Sequence, residues 1–290
     1  MVLGQSGQML TAPTRRAAVL GSPISHSLSP ALHQAAYLAL GLRDWTYGAH
    51  ELDEPDLPGF VAHLGPEWAG LSLTMPLKEA AFEVADKVSD LAREVGAINT
   101  LVRRADGGWS GDNTDVYGVS QALREAGAGL GASALVLGSG ATARSVAAAL
   151  ATLECPTVTF AVRTRARPET LDQARRAGLE VEVMALDQVA SRVGDTPLVI
   201  STLPANALTA NALVALLPGG LRLPDHLLLD VVYAGWPSPL ARAFADAGAM
   251  VVSGFEMLVH QAAGQVHLMT GLPAPVEQMR AAGLAAMGSR

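Results

Sequence analysis

The sequence is that of an α/β protein built as two domains, the second of them a doubly wound parallel sheet. Its 290 residues are enough for two domains of about 150 residues each. Short apolar runs alternate with helical stretches, and strands separated by helices imply βαβ units and a parallel sheet. One such run, Ala134 to Leu137, ends in a glycine-rich turn that leads directly into a helix, as in the Rossmann-type nucleotide-binding fold.

The elements follow in order. Ala17 to Gly21 is a short apolar run and reads as a buried strand. Ser29-Pro30 then opens a helix, with Ser29 as the cap and proline in the first turn, where its missing N–H costs nothing. That helix runs to about Leu40 and stops at Gly41. Trp45 to Leu52 reads as a strand and Asp56 to Leu64 as a short helix. Leu71 to Met75 is a strand, a helix starts at Pro76, and a second short helix near Asp90 ends at Gly96. Ile98 to Arg103 and Gly108 to Gly111 flank Asp106-Gly107, a strong hairpin signal. Asp115 to Ala126 is helical. From there the alternation becomes regular, with strands at Ala134 to Leu137, Val158 to Val162, Leu179 to Ala185, Leu198 to Ser201 and Leu227 to Val231. A last strand near Met250 to Val252 leads through Gly254 into an amphipathic helix, Phe255 to Met269, and an alanine-rich helix closes the chain. The domain boundary is expected near Asn113 to Val116.

Composition narrows the function. Half the residues are hydrophobic and 16% are charged, which supports a large core and excludes extensive disorder. No apolar run reaches the roughly 18 residues of a membrane helix. Met1 to Thr14 lacks the basic start and apolar stretch of a signal peptide and reads as a frayed tail. A net charge of −7 argues against a general nucleic-acid binder, which needs a basic face. The single cysteine, Cys155, excludes an internal disulfide, reads as a packing residue, and fits a reducing cytoplasm. Of 20 basic residues only Lys78 and Lys87 are lysines.

The clearest motif is the turn after Leu137. Gly138-Ser139-Gly140-Ala141-Thr142-Ala143 fits G-x-G-x-x-A between a strand and a helix. Gly138 permits the tight turn, Gly140 lets the backbone approach a pyrophosphate, and Ala143 lets helix and strand pack closely. The helix N-terminus adds N–H donors and a partial positive charge. An ordinary tight turn is the competing reading. An acid at the end of the next strand would hold a free ribose hydroxyl. Here the strand ends Val162-Arg163-Thr164-Arg165-Ala166-Arg167, with no acid and three arginines. Guanidinium forks match phosphate oxygens, so NADP is expected, against a merely solvated basic loop.

Other chemistries find little support. The chain has no Gly-Lys-Ser/Thr P-loop, no G-x-S-x-G elbow and no H-E-x-x-H. Its seven histidines form no close ligand pairs, so no metal is expected. Three segments could serve a hydride-transfer enzyme, which needs a proton donor and substrate anchors. The first is Ser27-Leu28-Ser29, whose hydroxyls beside a helix start suit a carboxylate. The second is Thr74 to Lys78, a strand end leading into a lysine-bearing helix. The third joins Asn99-Thr100 to Asp112-Asn113-Thr114-Asp115. Taken singly they read as a cap, a solvated lysine, and turn or cap residues.

Taken together, these segments resemble one family. His26 to Pro30 (HSLSP), Thr74 to Glu79 (TMPLKE), Gly96 to Leu101 (GAINTL), Gly111 to Asp115 (GDNTD), the glycine turn, and Gly254 to Ala263 (GFEMLVHQAA) occur in the order found in shikimate dehydrogenases. The resemblance runs from about Ala18 to Pro273, and Trp236 to Pro239 is similar to the actinobacterial branch. It implies the reversible reduction of 3-dehydroshikimate to shikimate with NADPH, a step of aromatic amino-acid biosynthesis. It implies Lys78 and Asp115 as the catalytic pair, Ser27 and Ser29 on the substrate carboxylate, and Thr74, Asn99, Tyr233 and Gln261 around the substrate. Gly138 to Ala143, Arg163, Thr164 and Thr202 would hold the cofactor, with Gly254 and Met257 bordering the nicotinamide. It further implies a substrate domain of residues 1–114 completed by 255–290, an NADP-binding domain of residues 115–254, and a cytoplasmic monomer or homodimer that binds small molecules and neither nucleic acid nor membrane.

Three positions depart from the family pattern. Ser72 stands where many members have asparagine, Val162 where asparagine is usual, and Ala141 where a third glycine is common. Two alternatives therefore stay open: a quinate/shikimate dehydrogenase using NAD, and a non-catalytic NADP-binding regulatory module. Retention of both Lys78 and Asp115 argues against the second.

Overall fold

The computed structural model describes residues 14–129, 131–205 and 207–288. The stretch expected to be a frayed tail lies, up to residue 13, outside the described residues. The rest forms two six-stranded sheets.

The first sheet is mixed. Its elements are β1 (Arg15–Gly21), α1 (Ser29–Ala39), β2 (Trp45–Glu51), α2 (Leu57–Ala62), β3 (Trp68–Leu73), α3 (Leu77–Ala80), β4 (Lys87–Val88), α4 (Asp90–Val95), β5 (Thr100–Arg103) and β6 (Trp109–Asp112). The strand order is β2-β1-β3-β5-β6-β4. β1 runs parallel to β2 and β3, whereas β3, β5 and β6 are antiparallel. The expected β5–β6 hairpin closes at Asp106-Gly107, where the Gly108 N–H donates to Asp106 Oδ1 at 3.1 Å.

Several local expectations need correction. Ser29 does not cap α1. It is the first helical residue, and its N–H donates to Ser27 Oγ at 3.3 Å, so Ser27 takes the acceptor role. The third strand is Trp68–Leu73 rather than Leu71 to Met75, because the Thr74 carbonyl turns back to accept from the Leu77 N–H at 2.9 Å. The helix at Pro76 is only Leu77–Ala80, continued by a 3₁₀ turn, Ala81–Glu83. The helix near Asp56 is Leu57–Ala62, after a 3₁₀ turn at Glu54–Asp56. The two-residue strand β4 pairs with β6 and is too short to show any periodicity.

After α5 (Asp115–Glu125) comes the second sheet: β7 (Ala134–Leu137), α6 (Ala141–Thr152), β8 (Thr157–Val162), α7 (Pro168–Arg176), β9 (Glu180–Ala185), β10 (Leu198–Ser201), α8 (Ala210–Leu216), β11 (Leu227–Asp230), α9 (Pro239–Asp246) and β12 (Met250–Ser253). Every pairing is parallel, and the order is β12-β11-β10-β7-β8-β9. Both faces are covered, which is why β7, β10 and β11 read as continuous apolar runs. One face packs Val119, Ala122 and Leu123 of α5, Ala143 to Leu150 of α6, and Ala174 of α7. The other packs Leu216, Leu240 and Phe244. The order reverses between β7 and β10, the crevice where such sheets bind ligands.

Two helices remain, α10 (Gly254–Thr270) and α11 (Val276–Gly288). Ser253 caps α10, its Oγ accepting from the Phe255 N–H at 3.2 Å. Both helices leave the second sheet: Phe255, Val259, Ala262, Val266 and Met279 pack with Leu28, Leu32 and Ala36 of the α1 region. α10 also lies along α5. Gly118 sets that approach, because a Cβ there would stand 2.6 Å from the Met257 carbonyl oxygen and 2.9 Å from Gln261 Cβ. Close helix packing thus depends on a missing side chain.

Candidate active site

A cleft of about 280 Å³ opens between the two sheets. Ser27, Ser29, Thr74 and Lys78 line it from the first sheet and its loops; Asp115 comes from the start of α5. Thr142, Tyr233, Gly254, Met257 and Gln261 line the remainder. Ten of the residues expected at the site are thus brought together from segments spread over the chain.

At its centre, Lys78 Nζ donates to Asp115 Oδ2 at 2.5 Å, with the side chains 17% and 6% exposed. Local sequence places both. Lys78 rides the short helix α3, and its carbonyl accepts from the Ile98 N–H at 2.8 Å. Asp115 opens α5, where Asn113 Oδ1 accepts from the Asp115 and Val116 N–H groups at 3.0 and 3.3 Å. Asn113, not Asp115, thus satisfies the first turn.

Asn99 sits one layer behind the cleft wall, almost fully buried. Its Nδ2 donates to Asp115 Oδ1 at 2.8 Å and Thr114 Oγ1 at 3.0 Å. Its Oδ1 accepts from the Thr114 N–H at 2.8 Å and Thr100 Oγ1 at 2.8 Å. Its bond to Oδ1 orients Asp115.

Sequence reasoning missed the layer beneath Ser72. Tyr47 Oη donates to Ser72 Oγ at 2.6 Å, and Ser72 Oγ donates to Gln265 Oε1 at 2.8 Å. Gln265 Nε2 donates to the Asn99 carbonyl at 3.2 Å and to Thr100 Oγ1 at 3.1 Å. His33 Nε2 lies 3.2 Å from Gln265 Oε1, and its ring stacks on Tyr47 at 3.9 Å between centroids. Burial pushes His33 from 6.5 down to about 3, the Gln265 bond opposing, and burial pushes the Tyr47 phenol up. Gln265 falls one helical turn after Gln261, the only sequence hint of its place. Tyr47 and His33 carry none.

The other end of the cleft is the glycine turn. Gly138 has φ +104°, and a Cβ there would stand 2.6 Å from Thr202 Oγ1 across the β7/β10 crevice. Thr202 Oγ1 donates to the Leu137 carbonyl at 2.9 Å. Gly140 faces open space, with no heavy atom within 4 Å of a would-be Cβ. That open backbone at a helix start fits a dinucleotide pyrophosphate. Ser139 braces the turn: its Oγ accepts from the Arg167 N–H at 3.1 Å and its carbonyl from Thr170 Oγ1 at 2.7 Å. Ala141 starts α6, and Ala143 is fully buried in the helix–sheet contact. Arg163, Thr164 and Arg165 stand exposed at the end of β8.

Two further polar groups hold the walls. Arg144 is 5% exposed; Nε donates to the Val95 carbonyl at 2.7 Å, Nη2 to the Gly96 carbonyl at 3.0 Å and to Glu79 Oε1 at 2.6 Å. It ties α6 to the end of α4 and to the residue beside Lys78. Asp230 accepts from Ser238 Oγ at 2.6 Å and the Val232 N–H at 3.3 Å, bracing the loop that carries Tyr233. Burial pushes the Asp230 carboxyl up. Among the described residues, one group of side chains has metal-ligand proximity: Glu125, Glu256 and His260. The Arg280 guanidinium bonds both of its carboxylates, at 2.8 and 2.9 Å. No helix among the described residues is long and apolar enough to cross a membrane.

Comparison with known proteins agrees with this geometry. Residues 19–101 match the model of the shikimate dehydrogenase substrate binding domain, and residues 254–282 that of the shikimate 5'-dehydrogenase C-terminal domain. A shikimate dehydrogenase (NADP(+)) of Anaeromyxobacter sp. is 39% identical, over 97% of this chain and 99% of its own. The crystal structure of Mycobacterium tuberculosis shikimate dehydrogenase superposes with a TM-score of 0.83 at 43% identity, covering 93% of this chain and 99% of that one. The Thermus thermophilus enzyme in complex with NADP(H) and shikimate gives 0.80 at 32% identity, covering 94% and 99%. The glycine turn, the Lys78–Asp115 pair and these full-length likenesses agree: the chain belongs to the shikimate dehydrogenase family.

Proposed function

We propose that this chain catalyses the reversible reduction of 3-dehydroshikimate to shikimate with NADPH, a step of aromatic amino-acid biosynthesis. The observation that carries the reading is the 2.5 Å Lys78–Asp115 contact in a cleft also lined by Thr142 of the dinucleotide turn. The chain is an NADP-dependent oxidoreductase, and its close relatives are named for that cofactor.

The roles follow from chemistry and position. Gly138 to Ala143 would hold NADP(H), with Thr202 beside the turn and Arg163 and Thr164 placed for its 2′-phosphate, and the bound cofactor would supply hydride. Gly254 and Met257, which line the cleft, would border its nicotinamide. Ser27 and Ser29 hold the substrate carboxylate, while Thr74, Tyr233 and Gln261 bond its ring hydroxyls. Lys78 gives a proton to the carbonyl oxygen as the carbon gains hydride, so the C=O becomes CH–OH. Asp115 holds Nζ in place and is itself held by Asn99. Solvent returns the proton to Lys78. In the oxidising direction Lys78 takes the hydroxyl proton instead. Positioned proton transfer of this kind is worth about 10²–10⁴ in rate.

Residues 1–114 and 255–290 form the substrate domain and residues 115–254 the NADP-binding domain, a division supported by the packing of α10 and α11 against α1. Ser72 and Gln265 both line the cleft, where the Ser72 hydroxyl bonds Tyr47 Oη at 2.6 Å and Gln265 Oε1 at 2.8 Å. The test is a two-by-two assay of shikimate or quinate with NADP or NAD. Shikimate with NADP should give the highest kcat/KM. Faster turnover of quinate with NAD would overturn the reading. NADP binding without turnover in any of the four would restore the regulatory-module alternative.

A further inference from the structure

The hydroxyl of Ser72 has its hydrogen-bond direction imposed by Tyr47 behind it and by Gln265, which lines the cleft beside it. The argument starts at the Asn99 backbone carbonyl, which can only accept. The Gln265 atom 3.2 Å from it must therefore be the NH₂ group, and the other end of that amide is the oxygen. An amide oxygen only accepts, so Ser72, at 2.8 Å, donates its single proton to Gln265 Oε1. His33 Nε2, at 3.2 Å, likewise carries its proton toward that oxygen. Burial keeps His33 neutral, which leaves one N–H for this bond. Ser72 has no proton left for Tyr47, so Tyr47 Oη is the donor at 2.6 Å and fills one Ser72 lone pair. One acceptor lone pair remains, on a residue that lines the cleft.

We infer that the Tyr47–Ser72–Gln265 chain makes Ser72 an acceptor-only specificity determinant, which selects substrates presenting a hydroxyl donor at that point of the ring. This rests on the shikimate reading above and deepens it. A free serine can turn its proton outward, so it pairs with an acceptor such as an ether and meets a fluorine, a much weaker acceptor, without lone-pair repulsion. A serine locked by Gln265 offers only a lone pair, so an acceptor-only group opposite it meets lone pair against lone pair. Side chains built to pair with one partner discriminate more strongly against analogues lacking it than apolar contacts do.

The test uses two deoxyfluoro shikimates, each with fluorine in place of one of the two ring hydroxyls spared by the oxidation. Fluorine keeps the size and cannot donate. The wild-type enzyme should lose about 10- to 100-fold in kcat/KM with one of them relative to shikimate, mostly in KM. Ser72→Ala should bring the two substrates within about threefold of each other. Gln265→Met frees the Ser72 proton and should also collapse the ratio to about threefold, although Ser72 is still present. Tyr47→Phe leaves that proton on Gln265 and should preserve the wild-type ratio while raising KM. A wild-type ratio retained in Gln265→Met, or collapsed in Tyr47→Phe, would overturn the inference, as would a wild-type enzyme indifferent to both analogues. NADPH binding by each variant reports that it has folded, and the Tyr47→Phe arm stands if Gln265→Met does not fold. Absence of wild-type turnover on shikimate itself would instead refute the functional reading.

Discussion

Lys78→Met separates charge from proton transfer at the cleft centre. The substitution keeps length and removes the ammonium 2.5 Å from Asp115 Oδ2. Asp115, 6% exposed, then keeps only its bond from Asn99 Nδ2 among the side-chain donors described. Breaking a fully buried ion pair costs about 3–5 kcal/mol. Lys78 retains 17% exposure, so water replaces part of the loss and about 2 kcal/mol is expected. That is a fall of about 4–8 °C in Tm for a chain of this size, which leaves the enzyme folded at assay temperature. The effect on chemistry is larger, a drop of about 10²–10⁴ in kcat, or about 3–5 kcal/mol in the barrier. Steady-state kcat and KM for shikimate at saturating NADP read the two apart. Lys78→Arg is the control, since a guanidinium keeps the charge and does not release its proton; it should stay at least about 100-fold down in kcat. The double variant Lys78→Met with Asp115→Asn should be hardly slower than Lys78→Met alone, because the pair acts as a unit. A kcat near the wild-type value with a raised KM would refute the acid/base role.

Three other expectations follow from named contacts. Arg163→Ala should raise the KM for NADPH about 10-fold or more and leave that for NADH unchanged; an equal change in both would remove the 2′-phosphate assignment. Gly118→Ala places a methyl 2.6 Å from the Met257 carbonyl oxygen, where backbone cannot yield cheaply. It should cost about 1–3 kcal/mol in urea unfolding and lower kcat by shifting α10 against α5. His33 is held at about 3 in the fold against 6.5 for the free side chain, so below 6.5 the unfolded chain takes up a proton that the folded chain refuses. Its contribution is complete above that value and is lost as pH falls toward 3. At about 1.4 kcal/mol per pH unit, acidification from about 6.5 to 5 should remove roughly 2 kcal/mol more from the wild type than from His33→Phe. Parallel losses in the two proteins would show that His33 is not the titrating group.

Much of the second sheet was legible because both of its faces are covered. Ala134–Leu137 and Leu227–Asp230 are uninterrupted apolar runs, and the glycine turn sits where one ends. The first sheet was harder. Its third strand was misplaced because Thr74 and Met75 continue the apolar pattern, while the Thr74 carbonyl has already turned back to Leu77. Ser29 was misread because either serine of Ser27-Leu28-Ser29 could cap, and only the backbone shows Ser27 accepting. At the site, Lys78 and Asp115 were named through the resemblance, since each alone has an ordinary alternative. Tyr47, His33 and Gln265 escaped because a buried polar residue is defined by partners that are distant in the chain. Gln265 bonds Ser72 across 193 positions and His33 across 232. Arg144, a helical arginine buried against α4, was hidden for the same reason.

The chain passes from the first sheet to the second through residues 113–115, between β6 and α5, and the last of these is the acid that holds Lys78. The chain returns at Ser253–Gly254, and Arg144 ties the start of α6 to Val95 and Gly96, so the ion pair sits among three links between the sheets. The catalytic acid is thus part of the crossing itself, so a change in the link between the sheets reaches the proton-carrying pair directly.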